Sequence, residues 1–133
     1  MQALHMRETK YTRSVREAMA KLGHATNAQI ADMLRQEFFD LSDTTVHRVT
    51  ARLLAAGELQ AAPAAPDGSQ RFDVNSTPHD HFTCADCGGL RDISVPAACR
   101  EMIQAELGGC IMNGPLIISG NCRACMHDAE HNV

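Results

Sequence analysis

Two Cys-x-x-Cys pairs, Cys84-Ala85-Asp86-Cys87 and Cys122-Arg123-Ala124-Cys125, constrain this chain more than any other feature. Two residues between cysteines let both sulfurs of a tight turn face one ion. Two such turns supply four thiolates in the tetrahedral set that suits Zn2+. Gly88 and Gly89 follow the first pair and allow the backbone to fold back beneath the sulfurs. Four thiolates leave no open coordination position, so the predicted zinc, one per chain, is structural. It joins the start of a segment to its end, which makes metal binding part of folding. Redox chemistry at one pair is the competing reading; a pair at each end of one segment favours zinc. Cys99 and Cys110 lie outside the pattern and read as small buried hydrophobes.

The opening MQALHMRETK lacks the apolar stretch of a secretory signal, and no apolar run approaches the roughly 20 residues of a membrane span. The expectation is a cytoplasmic chain with no membrane partner, in which six cysteines do not form a disulfide scaffold. Hydrophobic residues make up 44% of the 133 but aromatics only 4%, so the core must rest on Ala, Leu, Ile, Val and Met. The net charge of −4 is unevenly spread. Residues 1–62 carry eight Lys/Arg against seven Asp/Glu, whereas residues 63–133 carry four against nine. Arg7 to Lys21 alone holds five basic and two acidic residues, so the two halves divide the labour, with any polyanion on the N-terminal side.

Apolar periodicity predicts helices over Thr9–Leu22 (Val15, Ala18, Met19, Leu22), Asn27–Gln36 (Ile30, Ala31, Leu34) and Asp43–Ala56 (Val46, Val49, Leu53). Thr26 or Asn27 caps the second, Ser42 caps the third, and Gly57 stops it. Strands at Glu58–Ala62 and Ser69–Val74 flank the turn-rich Pro63–Gly68. Three helices and a hairpin describe a winged helix-turn-helix, or a plain helical bundle with a surface hairpin. Beyond Asn75, strands at His81–Cys84 and Leu90–Ser94 flank the first cysteine turn. A helix opens at Pro96 and runs to about Leu107, and an apolar strand at Ile111–Ser119 leads into the second cysteine turn. The fold class is α+β: residues 1–74, a hinge at 75–78, and a small α/β module over 79–133.

A second cluster has different chemistry. Asp73, His79, Asp80, His81 and Asp92 crowd around the first knuckle. On an extended backbone His79 and His81 leave the same face. Imidazole and carboxylate without thiolate suit Fe2+, Mn2+ or Zn2+.

Taken together, Thr45-Val46-His47-Arg48, Arg71-Phe72-Asp73, the run from His79 through His81, Cys84 and Cys87 to Gly88, Asp92, and Gly120–Cys125 resemble the ferric uptake regulator family of bacterial repressors. The resemblance extends from about Thr9 to Cys125. It implies an N-terminal winged-helix DNA-binding domain, a C-terminal dimerisation domain, and a regulatory metal held by His24, Asp73, His79, His81 and Asp92. Aspartate at both Asp73 and Asp92 is closer to the peroxide-sensing branch, in which iron-bound histidines become oxidised, than to the iron-uptake branch. The zinc-sensing branch adds a cysteine that residues 58–83 lack. A second regulatory site seen in some members is not expected, because Pro78, Cys99 and Gly114 fall at its ligand positions and only Asp80 remains. Where the family's recognition helix usually carries Tyr-Arg, this chain has His47-Arg48.

The resemblance therefore implies a homodimeric, metal-dependent repressor, not an enzyme and without a small-molecule substrate, that binds double-stranded DNA. Its expected regulatory ion is Fe2+ or Mn2+, with Zn2+ as a further candidate. Thr44, Thr45, His47 and Arg48 are expected at the major groove, and Arg13 and Arg16 at phosphates. The alternatives are a reversible iron- or zinc-uptake regulator and, from another class, a zinc-ribbon interaction module that does not bind DNA. A zinc deaminase would need a His-x-Glu element, which the sequence lacks.

Overall fold

The computed structural model describes residues 9–75 and 77–126. The chain divides into two compact units, Met1–Ser76 and Thr77–Val133. The first contains α1 (Lys10–Leu22), β1 (His24–Thr26), α2 (Asn27–Leu34), α3 (Asp43–Ala55), β2 (Gln60–Ala62) and β3 (Arg71–Asp73). The second contains β4 (Asp80–Cys84), β5 (Leu90–Ile93), α4 (Ala97–Ala105) and β6 (Ile117–Gly120). The class is α+β, as the sequence predicts.

In the first unit each helix has a sequence-encoded start. Thr9 caps α1 by accepting from the Thr12 amide at 3.2 Å. Ser42 caps α3 by accepting from the Thr45 amide. Thr26 and Gln29 form a reciprocal capping box on α2: Gln29 N donates to Thr26 Oγ1, and Thr26 N donates to Gln29 Oε1. Val15, Met19, Ile30, Leu53 and Phe72 are fully buried at the centre of the core. The three helices close around a sheet of order β1-β3-β2, in which both neighbours of β3 run antiparallel to it.

The strand β1 is absent from the sequence prediction, which leaves His24 in a loop. Gly23, at φ +75°, ends α1 and donates to Met19 O, and three extended residues then precede the Thr26 cap. The second helix stops at Leu34 instead of Gln36, because the Glu37 and Phe38 amides turn back to Leu34 O. The first wing strand begins at Gln60 instead of Glu58, because the Glu58 and Leu59 amides still bond Leu53 O.

The second unit is built differently. Its sheet has the order β5-β4-β6, with β5 antiparallel and β6 parallel to β4. Its buried residues, among those described, are Asp80, His81 and Cys84; α4 buries none of its side chains. Pro96 occupies the position before α4 instead of its first turn, and the helix ends at Ala105. The apolar stretch from Ile111 yields a strand only from Ile117, because Gly114 (φ +96°) and Pro115 interrupt it. Gln104 holds the interrupted part, bonding Cys110 O and the Met112 amide. The expectation that Cys99 and Cys110 are buried is wrong: both are exposed. Cys99 lies on a helix with no packed face in the single chain, and Cys110 follows the Gly108-Gly109 break.

Candidate metal centres

The four-cysteine centre lies wholly within the second unit. Cys84 ends β4, and its sulfur accepts from the amides of Cys122 at 3.2 Å and Cys87 at 3.5 Å. The Cys84–Cys125 sulfur separation is 3.7 Å and the Cys87–Cys122 separation 3.8 Å. A tetrahedron with Zn–S bonds of about 2.3 Å has edges of about 3.8 Å, so the sulfurs stand at the separation a zinc ion requires. No side chain is accommodated beneath the first knuckle. Gly88 is at φ +72°, and a Cβ on Gly89 would come within 3.2 Å of Cys87 Sγ. Asn121 and Asp86 tie the knuckles together through a 2.7 Å bond.

The electrostatics agree. The Cys87 and Cys122 amides draw the Cys84 thiol down to about 6, which favours its thiolate. Cys87 is pulled down by the Gly89 amide but pushed up on balance by the sulfurs of Cys84 and Cys122. Cys125 is pushed up by Cys122 and Cys84. A metal-free cluster thus stabilises one thiolate and resists the next, and a divalent cation removes that resistance.

The nitrogen and carboxylate residues form two sets, one in each unit. In the first unit β1 pairs with β3 so that His24 stands opposite Asp73, with His24 Nε2 3.3 Å from Asp73 Oδ2. Asp73 is almost fully buried, and its other oxygen accepts from the Asn75 amide. In the second unit His81 stands opposite Asp92 in the β4–β5 register. The His79 and His81 rings lie 4.4 Å apart, and their Nε2 atoms are 3.1 and 3.4 Å from the same Asp92 Oδ1. His79 Nδ1 contacts Thr77 O at 2.6 Å. A carbonyl only accepts, so Nδ1 carries a proton and Nε2 is the nitrogen turned toward Asp92, the ring orientation found behind metal-ligating imidazoles. The donor types of both sets, imidazole nitrogen and carboxylate oxygen, are those a borderline or hard divalent ion takes. Asp80, between the two histidines, leaves the opposite face. It bonds the amides of Leu116 and Val95 and the Arg100 guanidinium, which together hold its carboxyl below the usual range against the opposing effect of burial.

On α3, Thr44, His47 and Arg48 are exposed, while Val46 and Val49 face the core. Thr45 is half-buried, and its hydroxyl engages Ser42 Oγ at 2.9 Å, completing the helix cap. Arg13 is exposed on α1. Arg16 is engaged within the fold, forking onto Glu58 at 3.0–3.1 Å. Arg52, one turn beyond Arg48, is also exposed.

Comparison with known proteins agrees with this architecture. The ferric uptake regulator family matches residues 4–108. The peroxide operon regulator of Bacillus subtilis (strain 168) is 28% identical over 112 residues, covering 83% of this chain and 77% of that one. The Helicobacter pylori ferric uptake regulator, whose structure shows three functional metal-binding sites, superposes with a TM-score of 0.74 at 17% identity, over 91% of this chain and 83% of that one. The iron-containing ferric uptake regulator of Francisella tularensis gives 0.74 at 18% identity, over 95% and 98%. Proteins of this family are dimeric DNA-binding transcriptional regulators. With the family matching most of its length and a four-sulfur cluster of zinc dimensions, the chain belongs to the ferric uptake regulator family and is a metal-responsive repressor.

Proposed function

We propose that this repressor is controlled by one Fe2+ or Mn2+ ion held jointly by His24, Asp73, His79, His81 and Asp92, and that peroxide acts on its iron form. The observation that carries the reading is the convergence of His79 and His81 Nε2 on one Asp92 oxygen. Such a set is incomplete for a hard divalent ion, and the His24–Asp73 pair supplies the two missing donors. An ion shared by both sets requires one relative orientation of residues 1–74 and 79–133 about a hinge at 75–78. Ligand binding therefore selects the conformation competent for DNA.

The partner surfaces follow from exposure. Met102, Ile103, Leu107, Ile111, Ile117 and Ile118 are exposed in the second unit, the surface a second copy of the chain would cover. A twofold dimer presents two α3 helices to successive major-groove half-sites, with Thr44, His47 and Arg48 toward base edges and Arg13 toward phosphate. Arg52 joins this set. Arg16 would have to leave Glu58 to do so.

Bound by His24, Asp73, His79, His81 and Asp92, Fe2+ would supply the one-electron reductant for peroxide; the oxidisable groups nearby would be the imidazoles of this chain. The test is anaerobic Fe2+ loading, a brief peroxide pulse and peptide mass spectrometry, with operator-sized duplex binding followed in parallel. One added oxygen on peptides holding His24, His79 or His81, together with loss of duplex binding, is expected. Bound iron with unmodified histidines would replace peroxide sensing by reversible sensing of metal level. Full metal-dependent duplex binding by His79→Ala would overturn the site.

A further inference from the structure

The half-site of His79, His81 and Asp92 depends on a strand whose other face is anchored by one buried carboxylate. Asp80 is only 6% exposed. Its Oδ2 accepts from the Val95 amide at 3.0 Å, and its Oδ1 accepts from the Leu116 amide and from Arg100 Nη1, both at 2.8 Å. Arg100, on α4, uses its second terminal nitrogen to donate to Gly114 O at 2.9 Å. Leu116 closes the network by accepting from the His81 amide at 3.0 Å. One carboxylate and one guanidinium thus join four segments: β4, the approach to α4, α4 itself, and the Gly114–Leu116 approach to β6.

We propose that Arg100 is a positioning residue for the regulatory half-site, a resident cation on Asp80 that fixes the start of β4, where His79 precedes the strand and His81 lies on it. The argument has three steps. Successive strand side chains alternate, so pinning Asp80 to one face sets the direction in which His79 and His81 leave the other. A buried carboxylate is held in place only when its charge is compensated, and two amides supply dipoles without net charge. A planar guanidinium offers two donors in a fixed fork, so it binds Asp80 and the Gly114 carbonyl at once. Lysine, a single point charge, would hold the carboxylate without that geometry. Few apolar contacts compete with this network, because among the described residues of the unit only Asp80, His81 and Cys84 are buried.

The inference rests on the proposed ion-binding role of His79 and His81, and its test separates the two. Full-length, zinc-loaded protein would be titrated with Co2+ by calorimetry. The imidazole nitrogens of His79 and His81 would be followed by NMR before Co2+ is added. Arg100→Gln is expected to weaken Co2+ binding at least about tenfold, the scale of outer-shell metal-site substitutions. It should also shift the histidine signals toward mixed tautomers, with one zinc retained per chain. Arg100→Lys is expected to restore part of the affinity. Wild-type Co2+ affinity and unchanged histidine signals in Arg100→Gln would overturn the proposal, as would weakened binding with unchanged histidine signals. If Arg100→Gln loses zinc or fails to fold, Arg100→Lys decides: unaltered Co2+ affinity and histidine signals overturn the proposal, and intermediate values support it. If the wild-type chain takes up no Co2+ beyond the four-cysteine centre, the ion-binding role fails, and the histidine signals still decide what Arg100 does.

Discussion

Among the described residues, the first unit buries an apolar core and the second does not. Thirteen buried hydrophobic residues of the first unit pack into one cluster, from Val15 to Phe72. In the second unit the apolar side chains of α4 and β6 lie largely at the surface, and the buried residues are a carboxylate, an imidazole and a thiol. The two units therefore use different forces. The first is stabilised mainly by removing apolar surface from water. The second relies on the sulfur cluster and the Asp80–Arg100 network, with apolar side chains such as Ile111 and Met102 left at the surface of the single chain. The lesson is that a small α/β unit can keep much of its apolar surface exposed in the single chain when a sulfur cluster of metal-binding geometry and a polar network fix its internal geometry.

Zinc removal gives the largest expected effect. Structural zinc contributes on the order of 10 kcal/mol of apparent folding free energy in small units built around it. A strong chelator, or Cys84→Ser, should abolish amide-exchange protection at 80–84, 90–93 and 117–120 while α1, α2 and α3 remain protected. Protected β4 amides in metal-free protein would break the comparison, because they would reveal a core that burial does not.

Apolar truncation sharpens it from the other side. Leu53 is fully buried, and Leu53→Ala should cost about 2–5 kcal/mol in the first unit without changing zinc stoichiometry. Ile111 is 80% exposed in the single chain, so Ile111→Asp should leave the isolated chain's stability nearly unchanged. It should instead weaken self-association in sedimentation experiments run across concentrations. If Ile111→Asp destabilises the chain at every concentration while its association is unaltered, the exposed surface is not a dimer surface.

Much of this was legible in sequence where the signal was local. The four cysteines announce their centre because Cys-x-x-Cys spacing is itself the geometry of a knuckle. The caps at Thr26 and Ser42 and the inward stripe of α3 are fixed by neighbours within one helical turn. What was not legible depends on distant pairing. Three residues of β1 are too few to show a period, so His24 looks like a loop residue until β3 lies beside it and sets Asp73 opposite. Asp80 and Arg100 are 20 positions apart and meet only because β6 returns parallel to β4 and brings Leu116 and Gly114 to them. Cys99 and Cys110 were misjudged for a related reason: their residue type suits a core, and no core forms around them.

The smallest expected effect concerns a single polar contact in each unit. Thr26→Ala removes one half of the capping box on α2 and leaves the Gln29 amide without its acceptor. Caps of this kind are worth about 1 kcal/mol. Ala25, next to Thr26 on β1, is fully buried in the core cluster and should keep β1 registered against β3. The midpoint of chemical denaturation of the first unit should therefore fall modestly, with the His24–Asp73 pairing and zinc content unchanged. The contrast lies with Arg100, whose replacement acts on a unit that has no such cluster to hold its strands. If Thr26→Ala disturbed the His24 resonances as strongly as Arg100→Gln disturbs those of His79, then polar contacts would govern geometry equally in both units. The apolar core of the first would then contribute stability without fixing the positions of His24 and Asp73.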